Sequence, residues 1–351
     1  MNPFAYQRVS DPDAAMRAGS ADGAMFLGGG TNLVDLMKDG VEHPKTLVDV
    51  NHIGLDKIEA SADGARIGAS VRNSDLANHR DIVANYPLLS FALLSGASPQ
   101  LRNMATTAGN LMQRTRCYYF MDTAFPACNK RAPGSGCGAL SGFNRIHAIL
   151  GQTDEGPRSA HSCIATNPSD MCVALYALDA QVEVQGAKGK RTIPVVDFHR
   201  LPGQTPDVDT NLRRDELITA VTLPAAKFAK HSWYLKARDR QSYAFALVSV
   251  AAGLEMDGDV IRSAGLALGG VAQKPWRSHE AEAALTGQPA TKETFAKAAE
   301  LALRGAHGYK DNAFKIELGK QCIVRALTQA TQGPGAVSQL AERSGEGVEQ
   351  A

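Results

Sequence analysis

The chain has 351 residues, 44% apolar and 21% charged, with a formal net charge of +1. That size allows two or three packed units around a sizeable core. The near-neutral balance speaks against nucleic acid or an anionic membrane surface as the main partner, and no apolar run approaches the roughly 20 residues of a membrane span.

The N-terminal Met1-Asn2-Pro3-Phe4-Ala5-Tyr6-Gln7-Arg8 lacks the apolar core of a signal peptide. The chain therefore reads as cytoplasmic by its own sequence, with periplasmic co-export beside a signal-bearing partner left open. Residues 24–27 are an apolar run, read as a strand. Gly28-Gly29-Gly30 follows, then Thr31-Asn32-Leu33-Val34-Asp35-Leu36-Met37. Thr31 or Asn32 can cap a helix. Leu33, Leu36 and Met37 form its i, i+3, i+4 stripe, and Gly40 stops it. Strand, glycine turn and helix together leave backbone N–H groups free for an anion. The spacing is not Gly-x-Gly-x-x-Gly, so no Rossmann unit is assigned. A plain tight turn accounts for this segment equally well.

Strands are expected at 46–50 and 65–69, and helices at 74–86 and 88–96. Alternation of short strands and helices indicates an α/β or α+β unit. Thr106-Thr107-Ala108-Gly109-Asn110-Leu111 is a second small-residue turn, offering two hydroxyls and the backbone N–H groups of Gly109 and Asn110. Two such turns can grip both sides of a diphosphate.

A polar, glycine-containing insert follows from about residue 113 to 165. It carries four of the six cysteines, Cys117, Cys128, Cys137 and Cys163, separated by ten, eight and twenty-five residues. Structural zinc pairs its ligands at gaps of about two to four residues, and this insert has no such pair. Iron–sulfur clusters need four thiolates but no fixed spacing. A disulfide framework belongs to short secreted chains. The insert has few large apolar residues to bury four thiols, which favours a metal centre over buried free cysteines. Arg114, Arg116, Lys130, Arg131, Arg145 and Arg158 outnumber Asp122, Asp154 and Glu155, a positive field expected to lower the thiol pKa values.

Ser169 or Asp170 caps a helix carrying Met171, Ala174, Leu175 and Leu178. Cys172 in that helix reads as core, as does the remote Cys322. Strands follow at 181–185 and 215–224, and a boundary falls near 225–230. Beyond it come strands at 232–237, 245–255 and 260–268, with Asp257-Gly258 as a hairpin signal. Helices are expected at 280–285, 292–306 and 315–330. The tail from 331, rich in Gly, Ser, Gln and Glu, is expected to be mobile.

Taken in order, Phe26-Leu27-Gly28-Gly29-Gly30-Thr31-Asn32-Leu33, residues 105–111, Pro168-Ser169-Asp170-Met171, residues 215–224 and Lys236-Ala237-Arg238-Asp239-Arg240 resemble the FAD subunit of molybdenum hydroxylases. This is the xanthine dehydrogenase and carbon monoxide dehydrogenase medium-subunit family, and the resemblance covers about residues 4–330. The cysteine insert resembles that of bacterial aldehyde oxidoreductase FAD subunits with an extra [4Fe–4S] cluster. The hydroxybenzoyl-CoA reductase branch also carries an insert there.

The resemblance implies an α+β fold in parts. A two-part FAD-binding domain of the vanillyl-alcohol oxidase and carbon monoxide dehydrogenase flavoprotein type would cover 1–225, with subdomains of about 1–55 and 56–225 and the cluster insert at about 113–165. A C-terminal domain like that of carbon monoxide dehydrogenase flavoproteins would cover 226–330, and the tail 331–351. Leu27, Gly28, Gly29, Gly30, Thr31, Asn32 and Leu33 would wrap the FAD diphosphate, with Phe26 beside them in the cofactor site. Thr106, Thr107, Gly109 and Asn110 would hold its other side. Asp170 would bond the ribose region, Ser169 would also be cofactor-binding, Leu217 would meet a ring edge, and Lys236 would lie near the flavin. Cys117, Cys128, Cys137 and Cys163 would ligate the cluster.

The implied partners are a large subunit with a molybdopterin cofactor and a small subunit with two [2Fe–2S] clusters. Electrons would pass through FAD to an external acceptor, and the complex would oxidise aldehyde to carboxylate with no catalytic residue in this chain. Many relatives have an acidic residue where this chain has Ala244, and no nicotinamide-site motif is visible. The competing readings are the FAD subunit of a hydroxybenzoyl-CoA reductase-like or xanthine dehydrogenase-like enzyme, a free-standing flavin oxidase, and a zinc-stabilised binding scaffold.

Overall fold

The computed structural model describes residues 1–152 and 161–333. Asp154, Glu155 and Arg158 of the insert, and the tail from 334, lie outside the described residues. Strands β1 (Ala5–Arg8), β2 (Ala24–Leu27) and β3 (Thr46–Asp49) form a parallel sheet in the order β1-β3-β2. Parallel pairing requires crossovers, and the helices Pro12–Gly19 and Leu33–Lys38 supply structure for them. β3 is central, with Leu47 and Val48 buried, whereas β1 is exposed along its length.

The second sheet is antiparallel. It contains β4 (Ile58–Ser61), β5 (Gly64–Gly68), β6 (Gln181–Gly186), β7 (Gly189–Pro194) and β8 (Leu217–Pro224) in the order β4-β5-β8-β6-β7. The chain between β5 and β6 is one long excursion holding both the second small-residue turn and the cysteine insert. Two helices of this excursion, Pro87–Ser95 and Asp170–Ala177, are apolar on nearly every face. Such helices belong inside a core.

They are covered by the third sheet, β9 (Ser232–Ala237), β10 (Val248–Asp257), β11 (Val260–Gly269) and β12 (Trp276–Arg277), in the order β12-β11-β10-β9. Its inner face uses small residues where the helix Asp170–Ala177 crosses. A Cβ on Gly265 would lie 2.2 Å from the Ala177 carbonyl oxygen, and one on Gly269 would lie 2.6 Å from Val173 Cγ2. Glycine thus permits a helix-to-sheet approach that alanine would block. The outer face buries Val250, Ala252, Leu266 and Leu268 against the helices His279–Leu285, Lys292–Ala302 and Phe314–Gln332.

Several expectations shift. The helix expected at 74–86 is two, Asn73–Asn78 and Arg80–Asn85, because His79 between them is extended at ψ 127°. The strand expected from 245 begins at Val248, after a loop in which Tyr243 takes φ +50°. The helix expected to reach 306 ends at Ala302, and the last helix continues to Gln332, so residues 331 and 332 are helical rather than tail. No described helix is long and apolar enough to cross a membrane.

The last helix carries a fully buried lysine. Lys315 Nζ donates to the carbonyls of His147 (2.7 Å) and Gly270 (2.5 Å), and burial depresses its pKa to about 7. An unfolded lysine titrates near 10.4, so between these pH values the unfolded chain binds more protons. Stability must then rise with pH through that window. Raising pH from 7 to 10 should stabilise the wild type relative to Lys315→Met, as read from melting temperatures of both proteins across the range. Parallel curves would show that the ammonium keeps its proton in the fold.

Candidate functional site

The two small-residue turns meet. Gly29 packs so closely on the second turn that an added Cβ would sit 1.9 Å from the Met104 carbonyl oxygen. Gly28 and Gly109 crowd the Thr106 hydroxyl from either side, at 2.7 and 2.8 Å from their hypothetical Cβ atoms. Thr106 Oγ1 accepts from the Gly109 N–H and caps the short helix Thr107–Leu111. Gly30 takes φ +74°, a conformation that favours glycine. Gly29 is therefore required by contact between the turns themselves. The sequence offered an anion site or a plain tight turn for this segment, and neither names this contact.

Both turns wall one cavity of about 900 Å³, within the usual range for cofactor sites. Phe26, Gly28, Gly29, Gly30, Thr31, Asn32 and Leu33 line it from one side. Thr106, Gly109 and Asn110 line it from another, with Asp170, Leu217 and Lys236 closing the remainder. Leu27, Thr107 and Ser169 do not line it. Thr107 Oγ1 donates to the Val71 carbonyl (3.1 Å). Ser169 Oγ accepts from the Cys172 N–H, capping its helix, and donates to Asn110 Oδ1 at 2.7 Å. These residues support the wall from behind.

Asp170 and Lys236 form a buried ion pair at 2.8 Å, with 8% and 4% of their side chains exposed. Tyr234 donates its hydroxyl to the other carboxylate oxygen at 2.6 Å. Burial, followed by the Asp170 charge, pushes the Tyr234 pKa well above its ordinary value. Lys236 also donates to the Ser95 carbonyl (3.0 Å). The loop before β10 brings Arg240, Tyr243, Ala244 and Phe245 to the cavity, and Arg240 donates to the Tyr243 carbonyl.

The start of the insert clamps the first turn. Arg114 N–H donates to Asn32 Oδ1 (2.9 Å), so Asn32 does not cap the helix Leu33–Lys38 with its side chain. Arg116 donates to the Thr31 carbonyl (3.2 Å), pairs with Asp35 (3.3 Å) and lies over the Phe245 ring. Three cavity-lining residues carry a buried polar atom without a protein partner among the described residues: Asn32 Nδ2, Asn73 Oδ1 and Arg116 Nε. Buried polar groups are rarely left so. Their presence fits a site built for a polar, phosphate-bearing cofactor.

The insert is ordered more than its composition suggested. Residues 127–138 form a hairpin in which Cys128 and Cys137 face each other as an antiparallel bridge. Arg131 threads its guanidinium among the carbonyls of Tyr119, Phe120, Asp122 and Phe125. Asn129 Nδ2 donates to the Ser162 carbonyl (2.8 Å). Cys117, Cys128 and Cys163 are buried with Leu36, Phe120 and Ala165, and Cys137 is half-buried. The expectation that the insert could not bury its thiols is thus corrected: Leu36 comes from another part of the chain.

The positive field also fails to lower the pKa values of Cys117, Cys137 and Cys163. Burial pushes Cys117 up to about 12 and Cys163 up to about 11, and raises Cys137. Arg114 is held by Glu42 (2.5 Å) and Asp209 (2.8 Å), Lys130 by Asp209, and Arg145 by Asp239. Their charge is answered by carboxylates. Neighbouring thiols add to the rise: Cys163 and Cys137 act on Cys117, and Cys137 and Cys128 on Cys163. The four sulfurs therefore share one neighbourhood. No three His, Cys, Asp or Glu among the described residues converge as a single metal ion requires. Leu36 belongs to the same buried cluster as Cys117, Cys128 and Cys163 and also lines the cavity, so the two sites share a wall. Cys172 and Cys322 are separate core residues.

This architecture has known counterparts. Residues 2–226 match the FAD binding domain in molybdopterin dehydrogenase, and residues 233–330 match the CO dehydrogenase flavoprotein C-terminal domain. The chain belongs to the family of FAD-binding subunits of molybdenum hydroxylases. It is 52% identical to the aldehyde oxidoreductase FAD-binding subunit PaoB of Escherichia coli, over 94% of this chain and 99% of that one. It is 27% identical to the glyceraldehyde dehydrogenase medium chain of Sulfolobus acidocaldarius, over 81% and 82%. In fold it is similar to a chain of the carbon monoxide dehydrogenase structure from Hydrogenophaga pseudoflava, with a TM-score of 0.73 and 24% identity over 95% and 99% of the two chains.

Gly29→Ala should lower stability by about 1–3 kcal/mol, the usual cost of overpacking, and reduce flavin content with it. Calorimetry and the visible spectrum check both. Lys236→Met should cost more, about 3–5 kcal/mol, because it strands a buried carboxylate. Asp170→Asn in the same chain should recover part of that loss.

Proposed function

We propose that this chain is the electron-transfer FAD subunit of a molybdenum-containing aldehyde oxidoreductase. The observation that carries the reading is the cavity where both small-residue turns meet, with unanswered polar atoms on Asn32, Asn73 and Arg116. The likeness to PaoB supports the aldehyde class. When bound, FAD takes electrons from partner iron–sulfur centres and yields them to an external acceptor. The protein's part is to bind, orient and shield it.

In this reading Phe26, Gly28, Gly29, Gly30, Thr31, Asn32 and Leu33 hold one side of the diphosphate. Thr106, Gly109 and Asn110 hold the other. Leu27, Thr107 and Ser169 act through the backbone or through their neighbours. Asp170 and Lys236 lie on the ribose and flavin side, with Leu217 at a ring edge. Each carboxylate oxygen of Asp170 has a second lone pair, so its bonds to Tyr234 and Lys236 leave room for a ribose hydroxyl. The division into 1–225, with its insert at about 113–165, and 226–330 belongs to the same reading.

Cys117, Cys128, Cys137 and Cys163 would hold a [4Fe–4S] cluster. Cys128 faces Cys137 across the hairpin, and Cys117, Cys128 and Cys163 share one buried cluster, a grouping of four thiols that suits a polynuclear centre. The raised pKa values of Cys117, Cys137 and Cys163 mean that ligation must displace protons from buried thiols, so cluster assembly couples to pH. A large molybdenum-cofactor subunit and a small subunit with two [2Fe–2S] clusters complete the complex. Of the carboxylates that line the cavity, Asp35, Glu42, Asp170, Asp209 and Glu216 are each paired with an arginine or lysine.

Acid precipitation of the purified chain should leave a yellow supernatant, because no His or Cys lies in either turn to bind flavin covalently. Single Cys→Ser variants at positions 117, 128, 137 and 163 should lose iron and the reduced-state paramagnetic signal, while those at 172 and 322 retain both. Aldehyde turnover by the isolated chain, or a colourless chain, would overturn the reading.

A further inference from the structure

We propose that His147 is a positioning residue for the insert's cluster, donating an Nε2–H hydrogen bond to the Sγ of Cys117 and thereby raising the cluster's reduction potential. This rests on the reading of Cys117 as a cluster ligand. His147 lies in the insert but is no part of the cysteine pattern. It is 1% exposed, and its Nε2 stands 3.1 Å from Cys117 Sγ. Its Nδ1 is buried with no partner among the described residues. A histidine kept only for packing would be expected to satisfy both ring nitrogens. Among the described residues the sulfur is the one hydrogen-bond partner of the ring.

The donor can be identified from chemistry. An iron-bound cysteine is a thiolate and carries no proton. The hydrogen in a bond between Cys117 Sγ and His147 Nε2 must then sit on the nitrogen, which fixes the tautomer with Nδ1 bare. The imidazole is held for this from several sides. His147 N–H donates to the Asn144 carbonyl (3.0 Å). Its own carbonyl accepts from Lys315 Nζ (2.7 Å) and Asn312 Nδ2 (3.2 Å), both near the start of the last helix. Tyr118 and Tyr119 flank the ring at 6.4 and 6.1 Å between centroids. The C-terminal unit thus aims a donor at a sulfur of the insert.

A hydrogen bond to a cluster sulfur stabilises the reduced state, which carries one more negative charge, more than the oxidised state. Removing the donor should therefore make reduction harder.

The test uses the full chain as wild type, His147→Leu and His147→Gln, titrated reductively and followed by paramagnetic resonance. Leu should weaken the reduction equilibrium about tenfold, which for one electron is a fall of about 59 mV in midpoint. Gln, which keeps an N–H donor, should recover most of the shift. A Leu variant that retains its iron and titrates with the wild type would overturn the inference. If Leu costs the cluster itself, the wild type decides. Reduced protein labelled with ¹⁵N-histidine should show weak coupling to one nitrogen and to one exchangeable proton. No nitrogen coupling, or the strong coupling of an iron-bound nitrogen, would overturn it. A wild type with no iron–sulfur spectrum defeats the cluster reading, and this inference falls with it.

Discussion

The carboxylate of Asp170 begins a helix whose every side chain from Asp170 to Ala177 is buried. It faces Tyr234 and Lys236 from β9, at 2.6 and 2.8 Å. A lone charge in that place would cost several kcal/mol, and only a matched partner with further hydrogen bonds offsets the loss of water. The pair therefore fixes how the third sheet sits on the helix, and with it the far wall of the cavity. Gly265 and Gly269 serve the same approach by removing side chains from the crossing. Packing and electrostatics act on one contact here, and the cofactor site lies at its edge.

A second constraint acts on the opposite wall. The backbone of the first turn touches the backbone of the second at Gly29 and Met104. Arg114 and Arg116 then reach from the insert onto Asn32 and Thr31. Arg114 also joins Glu42 to Asp209, and Lys130 joins Asp209 from the hairpin of the insert. The insert is consequently tied to the cofactor wall by charge pairs of low exposure, which solvent screens less than surface pairs. Movement in one would be felt in the other. Leu36, shared between cavity and cysteines, makes the connection apolar as well.

Burial rather than charge sets the chemistry of the insert. Several of its cations are paired with carboxylates or turned toward carbonyls, and desolvation prevails at Cys117, Cys137 and Cys163, even though the Lys130 charge acts to lower Cys163. A centre assembled there would be insulated from water, and its potential would depend on the few polar groups that reach the sulfurs. The surrounding polar order, from Arg131 and Asn129, holds those groups in place.

Local chemistry made much of this legible from the sequence. Glycine runs, the Ser169 cap, the alternation at 181–185 and the Asp257-Gly258 hairpin all depend on neighbours in the chain, and all reappear in the fold. The lining residues of both turns were legible for the same reason. What the tertiary structure alone decided involves partners distant in sequence. Ser169 and Thr107 support the wall because Asn110 and Val71 take their hydrogen bonds. Asp170 is paired because Lys236, 66 residues on, returns to it. Cys117, Cys128 and Cys163 are buried in a cluster that includes Leu36 from far along the chain, and His147, which meets Cys117, has its carbonyl held by the last helix. Composition and spacing carry no record of such meetings, since burial and pairing are properties of the folded chain.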